Sequence, residues 1–329
     1  MERSTIALIG AGSWGTAVAI HLANQHHRVW LWGRDTAHVQ AMSTARCNDR
    51  YLPNSLFPET LLPTDSFEEA TETADQVILA VPSHAFKNIL ARLKKPTQGL
   101  TWLTKGLDPE SHAPLSQLVT ATFGEAFPMA ALSGPSFAKE VAQHLPTAVI
   151  LASPSTPYLR TMRDLLHHDN LRVYVTHDLI GVQLCGAVKN ILAIACGVSD
   201  GLHYGANAKA ALITRGLAEM SRLGHALGAH PDTFVGLAGL GDLVLTCTDD
   251  QSRNRRFGLL LGQGFDRNKA EQQIGQVVEG THNAAEICAL ATQHHIDMPI
   301  CREVNALLQD QIDPKTAVMH LMSRPAREG

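Results

Sequence analysis

The chain has 329 residues, 45% of them hydrophobic and 18% charged, with a formal net charge of −4. That length predicts two domains, each able to bury a core, and the composition excludes a disordered chain. The negative balance excludes bulk electrostatic capture by nucleic acid or an anionic membrane, but leaves room for a local basic pocket.

In chain order, short apolar runs at 6–9, 29–32, 76–80, 101–104, 129–132, 148–151 and 173–175 predict strands. Helical patterns at 14–24, 67–71, 85–93, 115–122 and 157–167 fall between them. Such alternation predicts an α/β domain with a mainly parallel sheet covered on both faces. The first strand leads straight into a glycine loop, so no signal peptide is expected. After about His177 the strand runs nearly vanish. Helical segments follow at 179–198, 208–227, 255–261, 282–292 and 299–308. The expected organisation is therefore 1–177 and 178–329, the second part all-α. The apolar stretch 179–198 carries Gln183, Lys189 and Asn190, too polar a set for a lipid-spanning helix, and no membrane insertion is expected. Cys47, Cys185, Cys196, Cys247, Cys288 and Cys301 form no C-x-x-C pair. They read as free thiols in a reducing, cytoplasmic setting.

Gly10-Ala11-Gly12-Ser13-Trp14-Gly15 follows the first strand and opens the first helix. Gly10 permits the tight turn, Gly12 lets backbone approach a pyrophosphate, and Gly15 lets the helix pack on the strand. The helix N-terminus adds free N–H donors and a positive dipole end. This is a Rossmann fingerprint for a nicotinamide dinucleotide. The second strand ends in Trp32-Gly33-Arg34-Asp35, where Arg34 suits a 2′-phosphate. NADP(H) is therefore favoured over NAD(H).

Other candidates are polar residues in unexpected places. Lys189 lies within an apolar helix. A buried lysine suits proton exchange near neutral pH, while a snorkelling lysine at a helix edge is the structural alternative. Asp242, directly after the glycines of Gly239-Leu240-Gly241-Asp242, reads as a carboxylate on a crevice turn or as a cap. Ser252-Arg253-Asn254-Arg255-Arg256 matches a phosphate or carboxylate clamp, or a solvated helix start. Ser133-Gly134-Pro135-Ser136 precedes a helical run, and Lys105-Gly106 ends a strand at the sheet edge where ligands gather. The 17 histidines show no metal-ligand spacing, so no metal is expected.

Several blocks resemble the bacterial NAD(P)-dependent glycerol-3-phosphate dehydrogenase family over nearly the whole chain. They are GAGSWGTA at 10–17, TKGL at 104–107, SGPSFAKE at 133–140 and AVKNILAIACGVSDGL at 187–202, followed by ITRGLAEM at 213–220, GLAGLGDLVLTCT at 236–248, SRNRRFG at 252–258 and VVEGTHNA at 277–284. The resemblance implies interconversion of dihydroxyacetone phosphate and sn-glycerol 3-phosphate, glycerophospholipid supply and a homodimer. It implies Lys189 as proton donor and acceptor, with Asp242 as its catalytic partner, both of them also in contact with substrate. It also implies substrate contacts at Lys105, Gly134, Ser136, Ser252, Arg253 and Asn254. Cofactor contacts fall at Ser13, Trp14, Arg34, Lys105, Ala138, Arg253, Val277 and Glu279. His294-His295 departs from the family, many members of which carry a glycine nearby. Two other readings keep the same architecture: a hydroxy-acid dehydrogenase with a carboxylate at Arg253, and a non-catalytic NADP(H) sensor.

Overall fold

A computed structural model describes residues 3–323. The chain forms two compact units: one runs to Lys105 and resumes over Leu115–Leu179, the other takes Gly106–Pro114 and the chain from Ile180 onward.

The first unit is built on ten strands: β1 (Thr5–Ile9), β2 (Arg28–Trp32), β3 (Cys47–Asn48), β4 (Leu52–Leu56), β5 (Leu61–Thr64), β6 (Gln76–Leu79), β7 (Leu100–Trp102), β8 (Met129–Ser133), β9 (Thr147–Ala152) and β10 (Leu171–Thr176). Eight of them form one sheet in the order β10-β9-β8-β7-β6-β1-β2-β5, and β3 and β4 pair separately. All neighbours in the large sheet run parallel except β8 and β9. Without the small β3–β4 pair, the first six sheet strands follow the doubly wound order 3-2-1-4-5-6, with its reversal between β1 and β6. The strands are near-continuous Ile, Leu and Val because both faces are covered; Ile6, Leu8, Ile9, Leu31, Ile78 and Leu79 are fully buried.

Helices α1 (Ser13–Asn24), α2 (Thr36–Ala45), α3 (Phe67–Glu72), α4 (Ser83–Arg92), α5 (Leu115–Phe123), α6 (Ala138–Ala142) and α7 (Thr156–Leu166) accompany this sheet. Helix α2 and strands β3, β4 and β5 escape the sequence reading, and for α2 and β5 the physical reason is plain. Helix α2 buries only Val39 and Met42, too few positions to mark a period, and owes its start to Asp35 capping the His38 N–H at 3.2 Å. Strand β5 contains Pro63 and lies at the sheet edge, where proline is tolerated.

The second unit is helical: α8 (Leu179–Gly201), α9 (Gly205–Ala226), α10 (Pro231–Val235), a π-helical turn (Leu237–Gly241), α11 (Asp242–Thr248), α12 (Arg253–Gly262), α13 (Arg267–Ile274), α14 (Gly280–Gln293), α15 (Pro299–Leu308) and α16 (Pro314–Met322). Helix α8 is long and apolar enough to cross a membrane, yet 89% of its most apolar stretch is buried inside the protein. It is the central core helix. Helix α12 crosses it backbone to backbone: a Cβ on Gly197 would fall 2.0 Å from the Arg255 carbonyl oxygen, and one on Gly258 would fall 2.1 Å from that of Ile194. This approach seats the start of α12 beside the middle of α8. A set of ion pairs holds it there, with the mostly covered Arg255 bonded to Asp200 at 2.6 Å and to the exposed Asp250.

The short segment Gly106–Pro114 joins this unit through Glu286 of α14, whose carboxylate accepts the Leu107 N–H at 3.3 Å. Burial, with a smaller push from Asp108, raises the Glu286 carboxyl to about 7. At the end of α14, His295 takes φ 55°, the left-handed region that a glycine adopts freely, and its N–H closes on the Thr292 carbonyl at 3.1 Å.

Candidate active site

Two sets of the candidate residues gather, one in each unit. In the first, Gly10 ends β1 at the sheet's reversal point with φ +122°, and a Cβ there would meet the Ala80 carbonyl oxygen at 2.5 Å. Gly15 is equally confined, whereas a Cβ on Gly12 would meet nothing within 4 Å. Helix α1 begins with no side-chain cap, so its first N–H groups and dipole face that open side. The Trp14 indole N–H is buried without a partner. This open glycine face, bare helix start and orphaned donor fit the pyrophosphate of a dinucleotide.

The loop is braced from residues that carry no sequence signal. The Asn48 amide donates to the Ala11 carbonyl at 3.0 Å and to Thr16 at 2.8 Å, and the Ser13 hydroxyl donates to the Tyr51 carbonyl at 2.7 Å. Arg34 is exposed just beyond β2. Its acidic neighbour Asp35 is engaged as the α2 cap and pairs with Arg50 at 3.4 Å. With Arg34 adjacent in sequence and Arg50 paired to Asp35, this corner carries two arginines to one committed carboxylate, a net positive charge. Arg50 was absent from the sequence candidates. Elsewhere in the unit, the Lys105 ammonium donates to the Gly134 carbonyl at 3.4 Å and the Ser136 hydroxyl to the same oxygen at 3.2 Å. Adjacent Ser133 has a buried, unpartnered hydroxyl, and Ala138 opens α6.

In the second unit Lys189 does not snorkel. Its side chain is 7% exposed and Asp242 is 1% exposed, and the two form a hydrogen-bonded ion pair. Lys189 also donates to the Thr246 hydroxyl at 3.1 Å, and that hydroxyl donates to the Asp242 carbonyl at 2.6 Å. The carboxylate is the acceptor a buried ammonium requires, and it favours the protonated amine. Asp242 does not sit on a loop, as the glycines before it suggested. The glycines build a π turn, and Asp242 is the first residue of α11. Thr246 was missed by the sequence reading, although its i+4 spacing from Asp242 on a helix places both on one face.

Next to Lys189, the Asn190 amide donates to Glu279 at 3.3 Å and accepts from Asn254 at 2.9 Å. Asn254 in turn accepts the Gly280 N–H at 2.9 Å. Asn254 is therefore mostly committed to tying α8, α12 and α14 together. Ser252 caps α12 by accepting the Arg255 N–H at 3.2 Å. Arg253, at the first turn of the same helix, donates to the Val277 carbonyl at 2.9 Å. Arg255 is a structural residue, whereas Arg253 stands at a helix N-terminus of ten residues with a positive dipole end. Near Lys189, the Cys247 thiol is pushed well above the usual range by its hydrogen bond with Cys196 and by burial. Among the described residues no group of three or more His, Cys, Asp or Glu gathers as a metal site.

Known proteins share both units. Residues 5–158 match the NAD-dependent glycerol-3-phosphate dehydrogenase N-terminus, and 178–319 match the corresponding C-terminus. Glycerol-3-phosphate dehydrogenase [NAD(P)+] of Legionella pneumophila is 64% identical over 328 residues, covering 100% of both chains. That of Edwardsiella ictaluri is 49% identical, covering 99% of this chain and 97% of its own. The crystal structure of glycerol-3-phosphate dehydrogenase from Coxiella burnetii superposes with a TM-score of 0.95 at 48% identity, covering 98% of this chain and 99% of that one. D-mandelate dehydrogenase, at 14% identity and a TM-score of 0.65 over 95% of this chain and 99% of its own, shares the fold alone. That likeness lends no weight to a hydroxy-acid substrate.

Proposed function

Because the chain belongs to the NAD-dependent glycerol-3-phosphate dehydrogenase family, we propose that it interconverts dihydroxyacetone phosphate and sn-glycerol 3-phosphate with its own Lys189 as acid and base. The observation that carries this reading is the buried Lys189–Asp242–Thr246 cluster, built from two helices in the unit that also presents Arg253. A bound nicotinamide supplies or accepts the hydride. In the reducing direction, negative charge builds on the substrate carbonyl oxygen, and Lys189 donates a proton there; in the oxidising direction it takes the hydroxyl proton back. Asp242 and Thr246 hold the Nζ in one place, so no reorganisation is needed as charge develops.

Arg253 grips the substrate phosphate at the N-terminus of α12, where guanidinium and helix dipole act together. Ser252 and Asn254 support it mainly by fixing that helix start. In the first unit, Gly10, Gly12, Ser13, Trp14 and Gly15 hold the dinucleotide, and Lys105, Gly134, Ser136 and Ala138 keep the contacts that the family resemblance assigns. Val277 and Glu279 are cofactor contacts of the second unit, fixed by Arg253 and Asn190. The free, mostly buried thiols favour a cytoplasmic setting. The product suits glycerophospholipid synthesis, and the assembly is a homodimer.

Cofactor choice follows from the positive corner at Arg34 and Arg50. With dihydroxyacetone phosphate as substrate, NADPH should be oxidised more efficiently than NADH, as followed by absorbance. Arg34→Ala should lower kcat/KM for NADPH by roughly 10- to 100-fold, the loss of one charge-assisted contact, and leave NADH nearly unchanged. An unchanged NADPH/NADH ratio removes Arg34 from the 2′-phosphate site. No oxidation of either cofactor defeats the whole reading and revives a non-catalytic sensor.

A further inference from the structure

The π turn before Asp242 has no part in the chemistry so far, yet its geometry ends on that residue. The Gly241 N–H donates to the Gly236 carbonyl at 3.1 Å, and the Asp242 N–H reaches back to the Leu237 carbonyl. Both are i→i+5 bonds, where an α-helix would close at i+4. One additional residue in a helical turn rotates everything after it by about 100°. That rotation decides which way the first side chain of α11 points.

The turn is locked rather than adaptable. The Phe234 ring is 1% exposed and sits on Gly224 of α9, where a Cβ would fall 2.0 Å from the ring tip. Gly239 then sits on the backbone of Phe234: a Cβ there would lie 2.1 Å from its carbonyl oxygen and 2.5 Å from both its carbonyl carbon and Cα. Backbone cannot swing aside as a side chain can. A contiguous path thus runs from α9 through Phe234 and Gly239 to Asp242, and from there to the Lys189 ammonium. Leu240, inside the turn, is 36% exposed and contributes little to the core. Single π turns of this kind recur at functional sites because the inserted residue re-aims a side chain.

We propose that the π turn Leu237–Gly241 is a positioning element that aims the Asp242 carboxylate at Lys189, with Gly239 as the residue that makes the turn possible. This rests on the reading of Lys189 and Asp242 given above. The test is a double-mutant cycle between the turn and Asp242. Deletion of Leu240 restores an α register and should turn the carboxylate away; Gly239→Ala should displace the turn by another route. Each is compared with Asp242→Asn and combined with it, reading kcat, dinucleotide affinity by fluorescence, and helicity and Tm by circular dichroism.

Asp242→Asn should lower kcat by roughly 10²-fold or more. Deletion of Leu240 should lower it as far, keep its helical signal and dinucleotide affinity, and cost no more than about threefold further when added to Asp242→Asn, because the two changes remove one interaction. Gly239→Ala should behave alike. Multiplicative losses overturn the proposal, since a merely structural turn would add its damage to that of Asp242→Asn. So does a deletion variant with nearly full kcat while Asp242→Asn is crippled, which leaves the reading of Asp242 standing. An active Asp242→Asn defeats that reading and the proposal with it. Loss of helicity in both turn variants overturns the proposal too, because the turn would then be a folding element and not an aiming one.

Discussion

Lys189→Ala should lower kcat by roughly 10²–10⁴-fold, the usual range for removing a general acid or base, with kcat/KM falling in parallel. Parallel loss is expected because the proton moves only as charge builds on the substrate oxygen. Dinucleotide affinity, which depends on the glycine loop of the first unit, should survive. The same substitution also leaves Asp242 buried and unpaired, at 1% exposure, and breaking one side of a buried pair costs about 3–5 kcal/mol. Activity and stability must therefore be separated. The double variant Lys189→Ala/Asp242→Ala removes both charges, so its Tm should recover above that of Lys189→Ala while kcat stays low. A single variant that retains kcat within a few-fold would end the acid–base role. Recovery of activity together with Tm in the double variant would show that the loss was one of folding only.

The parts of the fold that were legible in the sequence are those whose periodicity is enforced by burial. Strands such as β1, buried on both faces, and helices such as α8, buried all round, show themselves as apolar runs. Elements whose stability comes from a cap, an edge or a contact distant in sequence did not. Helix α2 depends on Asp35, β5 carries Pro63 at a sheet edge, and Gly106–Pro114 is held to the second unit by Glu286 across 179 positions. The candidate site divides along the same line. Lys189 was visible because a lysine in an apolar helix is costly and needs a reason. Its partner was visible only as an acid after a pair of glycines, since nothing local says that α11 returns to α8. The π turn was not legible at all, because Gly236–Gly241 has the composition of an ordinary loop and its register depends on Phe234 packing against Gly224. Resemblance to a family assigned roles that the residues' own pattern only made plausible, but it could not say that Asn254 spends its amide on Asn190 and Gly280.

Arg253→Ala should reduce kcat/KM for dihydroxyacetone phosphate by roughly 10- to 150-fold, which is what loss of a hydrogen bond to a charged group, about 1.5–3 kcal/mol, amounts to. The phosphate is remote from the reacting carbon, so the grip contributes in two ways. It raises affinity, and it fixes the carbonyl against Lys189, so part of the loss should appear in kcat. Arg253→Lys should recover little, because a point charge does not reproduce a planar fork at a helix start. Arg253 also holds the Val277 carbonyl at 2.9 Å, and that second duty offers a competing explanation for any loss. The two are distinguished by substrate. Unphosphorylated dihydroxyacetone has nothing for a phosphate clamp to hold, so Arg253→Ala should leave its already poor kcat/KM unchanged and narrow the preference for the phosphorylated substrate. If both substrates lose activity equally, Arg253 acts by bracing the 277–279 segment and the phosphate must be gripped elsewhere.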